Sequence, residues 1–188
     1  MDAPAPFDAV LLAGGRARRF GADKPAARVG GRPLIEWAAA AASGASRLIV
    51  VGPRRDALPG ALVVREDPPG AGPVPALRAG LAGVRAQRLA LLAADLPFLR
   101  PAHVAALLEA AGRRDGAVLV DGDGREQWLA GCWRTDALRA ALASYGGASL
   151  RGLLGPLDPV TVALPPDGRP AWYDCDTPEQ LAAAERLL

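Results

Sequence analysis

Short apolar runs alternate with helix-like stretches along nearly the whole chain, and this alternation limits the fold more than any other feature. Phe7 to Ala13 reads as a buried first strand that stops at Gly14-Gly15. Pro33 to Ala42 reads as a helix, with proline in its first turn and Ser43-Gly44 closing it. Further strands are expected at Arg47 to Val51, Leu62 to Arg65, Leu89 to Ala93, Ala117 to Val120, Gln127 to Trp133 and Pro159 to Leu164. Helices are expected at Pro75 to Val84, Pro101 to Ala111, Thr135 to Ser144, Ser149 to Leu154 and Thr177 to Leu188. The last has Thr177 as its N-cap, Pro178 at its first position and Glu179 in its first turn. Strands and helices in this order make an α/β domain around a mostly parallel sheet. The 188 residues fit a single domain, residues 1–188, with a full core.

In such sheets ligands gather at the carboxyl ends of the strands. Three polar features stand there: Gly14-Gly15 after the first strand, Gly52 after the second and Asp95 after the fourth. Their convergence on one edge predicts a binding cleft. Lys24 is the sole lysine of the chain, every other basic residue being arginine, and it follows the loop Gly14-Gly15-Arg16-Ala17-Arg18-Arg19-Phe20-Gly21. Glycines let the backbone approach a ligand and present N–H groups to phosphate oxygens. Arg16, Arg19 and Lys24 can neutralise much of a triphosphate, and a compact ammonium suits a phosphate in a narrow site. The loop lacks the Gly-Lys-Ser/Thr of a P-loop and the G-x-G-x-x-G spacing of a dinucleotide fingerprint.

The charge balance bears on partners. With 22 basic and 20 acidic residues, a net charge of +2 and no long basic stripe, nucleic acid is not the expected partner. A small anionic ligand fits the local density of positive charge at Arg16 to Lys24. Met1 to Asp8 is neither a signal peptide nor a membrane span, so a cytoplasmic location is expected. Cys132 and Cys175, far apart and outside any CxxC pattern, are expected as buried free thiols.

Several acidic residues read in two ways. Asp95 ends a buried apolar run, where a carboxylate either caps its own turn, pairs with a cation or binds Mg²⁺. Asp174 and Asp176 are two apart on an extended segment and so share a side; Asp176 either approaches a metal or merely precedes the Thr177 cap. Asp67, in Arg65-Glu66-Asp67-Pro68, is a turn residue first and a ligand contact second. His103 is taken as an exposed helix residue with no catalytic role.

These motifs together resemble the molybdenum cofactor guanylyltransferases, within the nucleotidyltransferases related to sugar-nucleotide synthases. The resemblance is carried by Leu12-Ala13-Gly14-Gly15, Arg19, Phe20-Gly21, Asp23-Lys24-Pro25, Gly30-Gly31-Arg32-Pro33-Leu34-Ile35, Gly72-Pro73-Val74, Asp95-Leu96-Pro97-Phe98, Ser149-Leu150-Arg151 and Asp174-Cys175-Asp176-Thr177-Pro178-Glu179. It implies a three-layer, Rossmann-like nucleotide-diphospho-sugar transferase fold. It also implies attack of a phosphate on molybdopterin, or on the molybdenum cofactor, at the α-phosphorus of GTP, with loss of pyrophosphate. By the match, Leu12, Ala13, Gly14, Gly15 and Arg16 hold the nucleotide, Arg19 and Lys24 act on its phosphates, Gly52 and Asp67 lie near base and ribose, and Asp95 binds Mg²⁺. Cytidylyl-transferring relatives tend to read Leu-Ala-Ala-Gly at the first loop, so Leu12-Ala13-Gly14-Gly15 favours GTP.

The chain departs from the family on the acceptor side. Gln127-Trp128 stands where relatives carry a Gln- or His-Pro pair, and Asp174 and Asp176 stand where asparagines are usual. These four are assigned to the acceptor, with Trp128 either stacking on its ring or serving as a core or rim residue. Two other readings remain: the same chemistry with CTP or another phosphorylated acceptor, and a nucleotide-binding regulatory protein without turnover. A labile pterin also implies a protein that supplies or receives it, such as another cofactor-biosynthesis protein or a molybdoenzyme chaperone.

Overall fold

The computed structural model describes residues 5–14, 24–165 and 168–188. Its elements in chain order are β1 (Phe7–Leu12), a 3-10 turn (Lys24–Ala26), β2 (Arg28–Val29), β3 (Arg32–Pro33), α1 (Leu34–Ala41), β4 (Arg47–Val51), β5 (Leu62–Val64) and α2 (Pro73–Leu81). They continue with β6 (Arg88–Ala93), α3 (Pro101–Ala111), β7 (Gly116–Val120), β8 (Glu126–Arg134), α4 (Thr135–Ser144), α5 (Leu150–Leu154), a 3-10 turn (Gly155–Leu157), β9 (Val160–Ala163) and α6 (Pro178–Leu187).

Seven of the described strands form one sheet in the order β5-β4-β1-β6-β8-β7-β9. β1 runs parallel to both its neighbours, β4 and β6. β8 is antiparallel to β6 and to β7, which makes the sheet mixed. The side-chain period of two splits β1 between two apolar layers. Ala9 and Leu11 pack with Ile35 and Ala38 of α1 and with Val104 and Leu107 of α3. Val10 and Leu12 pack with Leu77 of α2, Leu138 of α4 and Leu153 of α5. Covering a strand on both faces explains why β1 is a continuous apolar run. Close approach is secured by small residues: a Cβ on Gly80 of α2 would lie 2.6 Å from Val10 and 2.8 Å from Val51. A smaller cluster, Val29, Leu34, Phe98, Cys175 and Ala184, holds α6 and β2 together.

The expected α/β architecture and element order are observed, with differences at the ends. α2 begins at Pro73, two residues earlier than expected, because both Pro73 and Pro75 sit where helix N–H groups have no partner anyway. The hairpin of β2 and β3 was not expected. Its strands are two residues each, too short to show a period, yet Gly30-Gly31 with φ of 59° and 72° form the two-residue turn that favours such pairs. No helix among the described residues is long and apolar enough to cross a membrane.

Three polar side chains among the described residues are buried, Asp8, Glu66 and Thr135, and Asp8 lies on the central strand. Asp8 of β1 is 1% exposed, and its Oδ2 accepts hydrogen bonds from the backbone N–H of Arg85 (2.7 Å) and Ala86 (2.9 Å). It fastens the turn before β6 to the start of the central strand. Asp8→Ala leaves two buried donors without a partner and is expected to lower the unfolding free energy by about 2–4 kcal/mol in urea titration, with Asp8→Asn recovering part of the loss.

Candidate active site

The carboxyl ends of β4, β1 and β6 lie side by side, since Leu12 pairs with both Val51 and Ala93. Their exits are tied by main-chain hydrogen bonds: Ala13 N to Val51 O (2.9 Å), Gly52 N to Val64 O (2.9 Å) and Ala94 N to Leu12 O (3.2 Å). Gly52 has φ 148°, and a Cβ there would lie 3.0 Å from the Ala13 carbonyl and 3.1 Å from Gly14 N. Only glycine lets the two exits meet this closely. The edge thus brings together Leu12, Ala13, Gly14 and Gly52. Asp67 is exposed, three residues past β5. Gly15, Arg16 and Arg19 lie outside the described residues.

Lys24 opens the first 3-10 turn, and its ammonium pairs with Asp95 Oδ2 and Asp176 Oδ1. Burial by itself lowers the Lys24 pKa, but the charges and hydrogen bonds of Asp95 and Asp176 outweigh it, so the pKa stands above the ordinary lysine value. Asp95 follows β6, and its Oδ1 is enclosed and has no hydrogen-bond partner among the described residues. Of the sequence readings, pairing with a cation is therefore the one observed for Oδ2, and Oδ1 keeps free lone pairs. Asp176 does precede the α6 cap: Thr177 Oγ1 accepts from Gln180 N (3.2 Å), while Gln180 Oε1 accepts from the N–H groups of Asp176 (2.8 Å) and Thr177 (2.9 Å). This reciprocal capping box holds the Asp176 backbone and leaves its carboxylate for Lys24. His103 is half-buried, and its Nδ1 accepts from Arg100 N (3.2 Å) in the first turn of α3.

Beside this pair opens a cavity of about 630 Å³, lined by Asp95, Asp174, Asp176, Gln127, Trp128, Ser149, Arg151 and Trp172 among others. A bulge on β8 shapes it. Val118 of β7 faces Gly131, but the next residue, Leu119, faces Gln127, so Trp128, Leu129 and Ala130 fall between the two registers. Such an irregularity re-aims side chains. The Trp128 ring stacks on fully buried Trp133, with centroids 6.4 Å apart and planes at 23°, while Trp128 itself also lines the cavity. It is thus both a rim residue backed by the core and a surface open to a ligand. Gln127 Nε2 donates to Asp121 Oδ2 (3.0 Å) and to Arg125 O (3.2 Å), bracing the β7–β8 turn.

Asp174 and Asp176 both line the cavity, and Cys175 between them is fully buried, as alternation on an extended segment requires. Partial burial, then the nearby charges of Asp176 and Asp95, hold the Asp174 carboxyl above its usual range. Burial, with Asp95 next in importance, pushes the Cys175 thiol up to about 12, and burial also raises that of Cys132. Both cysteines are free and buried, as expected. Sequence reasoning did not assign Trp172 to the site, nor Arg151 although its motif had been noted. Arg151 is the single cationic side chain among the described residues lining the cavity. The signal for Trp172 was its place two residues before Asp174.

A glycine-lined strand exit, a lysine held between two carboxylates and an adjoining cavity on a mixed, mostly parallel sheet define a nucleotide-handling α/β enzyme. The model of the MobA-like NTP transferase domain family matches residues 9–160, and the chain belongs to that family of nucleotidyltransferases. It is 35% identical to the molybdenum cofactor guanylyltransferase of Bradyrhizobium sp. (strain ORS 278), over 95% of this chain and 91% of that one. It is 33% identical to the molybdenum cofactor guanylyltransferase of Rhodobacter capsulatus, over 95% of each chain. Among solved structures, a nucleotidyl transferase from Methanothermobacter thermautotroptrophicus superposes with a TM-score of 0.78 at 22% identity, covering 97% of both chains. Molybdopterin-guanine dinucleotide biosynthesis protein A from Archaeoglobus fulgidus superposes with a TM-score of 0.73 at 21% identity, covering 96% of this chain and 97% of that one. These two likenesses establish the nucleotide-diphospho-sugar transferase type of fold. The sequence reading as a regulatory binder without turnover gives way to an enzyme.

Because the Asp174 pKa is raised on folding, its ionised form opposes the folded state above the folded pKa, and the effect disappears below the ordinary carboxylate value, where both states are protonated. Asp174→Asn is therefore expected to raise Tm at pH 7, by less than about 3 °C since the carboxylate is exposed to solvent, and to lose this advantage below about pH 4 in thermal denaturation.

Proposed function

We propose that this enzyme is a Mg²⁺-dependent guanylyltransferase that joins GMP, taken from GTP, to the phosphate of molybdopterin or of the molybdenum cofactor. The acceptor phosphate oxygen attacks the α-phosphorus, the bond from the α-phosphorus to the bridging oxygen breaks, and pyrophosphate departs with the electron pair. The relatives named molybdenum cofactor guanylyltransferase, 33–35% identical over nearly the whole chain, support the substrates. The observation that carries the reading is the pairing of Lys24 with Asp95 at the mouth of a cavity that holds Arg151 and the open Trp128 surface.

Such chemistry asks for positioning and charge neutralisation more than for a side-chain nucleophile. Main-chain groups of Leu12, Ala13, Gly14 and Gly52 bind the nucleotide. Lys24 exchanges its carboxylate partners for phosphate oxygens, helped by Arg16 and Arg19 of the preceding loop. Asp95 suits Mg²⁺, which takes one or two carboxylates together with substrate phosphates, and its enclosed, unpartnered Oδ1 is a donor atom ready for a cation. Asp176 is the second carboxylate within reach of the same lysine. The bound ion supplies neutralisation of phosphate charge. Arg151 receives the acceptor phosphate, and Trp128 offers its cavity side to a flat ring. The same reading places the enzyme in the cytoplasm, next to a protein that delivers or accepts the pterin.

Pyrophosphate release tests the reading, with each NTP, Mg²⁺ and molybdopterin supplied in turn. Release with GTP is expected; release with CTP alone moves the enzyme to the cytidylyl branch, and no release with any NTP removes the proposal. Asp95→Asn is expected to lower kcat by about 100-fold or more while nucleotide still binds. Lys24→Arg is expected to lower kcat/KM for GTP by about tenfold or more, because a planar fork does not fit between Asp95 and Asp176 as a point charge does. Full retention in the arginine variant would show that the lone lysine has no special duty.

A further inference from the structure

A second cavity, of about 320 Å³, opens between β8, the turn that follows α5 and β9, and it shares Glu126, Trp128 and Arg151 with the larger one. Its size is within the range of small-molecule sites, about 300–1,000 Å³. The three shared residues form the partition. Trp128 is backed by Trp133, and a Cβ on Gly155 would lie 3.9 Å from Trp128 Cη2, so its ring reaches the turn after α5. Arg151 is in the first turn of α5, whose start is fixed by Ser149 Oγ accepting from Gly152 N (3.0 Å). Asp158 also lines the smaller cavity, but its carboxylate already accepts from Arg114 Nη2 (2.6 Å). Glu126 and Arg151 are opposite charges on the same two cavities, yet neither side chain takes part in a hydrogen bond or an ion pair among the described residues.

A carboxylate accepts and a guanidinium donates, so a ligand that spans the partition needs adjacent donors at one end and an anion at the other. A phosphorylated pterin has this form. Its aminopyrimidinone ring sets a ring N–H beside the 2-amino group, two donors for one carboxylate, and its phosphate is at the opposite end. Sheet order gives the direction. The strand exits of β4, β1 and β6 are on one side of β8, and β7 and β9 are on the other. Asp95, Asp174 and Asp176 line the larger cavity but not the smaller. The phosphate end therefore belongs in the larger cavity, toward the reacting α-phosphorus, and the ring end in the smaller one, across Trp128. Guanine has a similar donor edge, but the nucleotide edge at Gly14 and Gly52 is on the far side of β6 from this cavity.

Resting on the guanylyltransferase reading, we infer that the smaller cavity is the subsite for the ring end of the acceptor, and that Glu126 is a specificity-determining residue that accepts from the ring N–H and the 2-amino group. 6-Hydroxymethylpterin and 6-hydroxymethyllumazine, in which a carbonyl oxygen replaces the 2-amino group, isolate this contact. Their binding to the intact protein, and that of GTP with Mg²⁺, is measured by equilibrium dialysis for wild type, Glu126→Gln and Thr161→Trp. Thr161 is exposed on β9 and lines the smaller cavity, so tryptophan there fills the cavity without entering the core. Wild type is expected to prefer the pterin over the lumazine by about tenfold or more, and Glu126→Gln to reduce that preference to within about threefold. Thr161→Trp is expected to weaken both ligands by about tenfold, with GTP affinity kept in both variants. A pterin-to-lumazine ratio unchanged in Glu126→Gln, or pterin affinity unchanged in Thr161→Trp, would overturn the inference. Loss of GTP affinity in Glu126→Gln with the pterin unaffected would overturn it too, since the carboxylate would then serve the nucleotide. If Glu126→Gln does not fold, the wild-type ratio and Thr161→Trp decide. Wild type that shows no pterin preference yet releases pyrophosphate from GTP with molybdopterin sinks this inference alone. Wild type that binds the pterin as expected but releases no pyrophosphate refutes the parent reading instead.

Discussion

Complete burial of β1 is the constraint on which the rest depends. All six of its residues are covered, so helices must pack on both faces and strands must pair on both edges. Once that is met, β4 and β6 lie on either side of it, and their carboxyl ends open beside its own. The functional edge is thus a by-product of how the most apolar segment is hidden. Polar atoms that cannot follow it into the core collect at its exits: Gly14 and Gly52 as bare backbone, Asp95 as a carboxylate.

Charge at that edge is arranged for exchange. Lys24 and Asp95 have little exposure, where a lone ammonium or a lone carboxylate would be unfavourable, whereas Asp176 reaches the lysine from the solvent side. Lys24 and Asp95 therefore each need an opposite charge nearby. Under the proposed function, phosphates would take the place of the carboxylates on the lysine, and Asp95 would hold the cation that neutralises them. Trp128 and Trp172 give the adjoining cavity flat apolar walls.

Much of this was legible in the sequence. The strand–helix order and the limits of β4, α3 and α4 follow from periodicity, capping and proline placement, because these elements are long enough for such signals to repeat. The grouping of Gly14, Gly52 and Asp95 follows from strand ends, while Leu12 and Ala13 joined it through the family resemblance. Other parts were hidden for physical reasons. The β8 bulge is a register shift, and no residue type marks where a ladder slips by three. Glu66 looked like one more loop acid beside Asp67, since burial of a loop residue depends on which distant backbone settles against it, here that of Gly14. The partnership of Lys24 with Asp176 links positions 152 apart, beyond any local pattern.

That separation has a consequence in time. A ribosome makes Lys24 152 residues before Asp176, and the backbone of Asp176 is held by the capping box of α6. Strands β1, β4, β5 and β6 can assemble while the chain is still emerging, but the lysine acquires its second counter-charge only when α6 docks against β2. The pairing of Lys24 with Asp176 therefore waits on α6, whereas the exits of β1, β4 and β6 can meet without it.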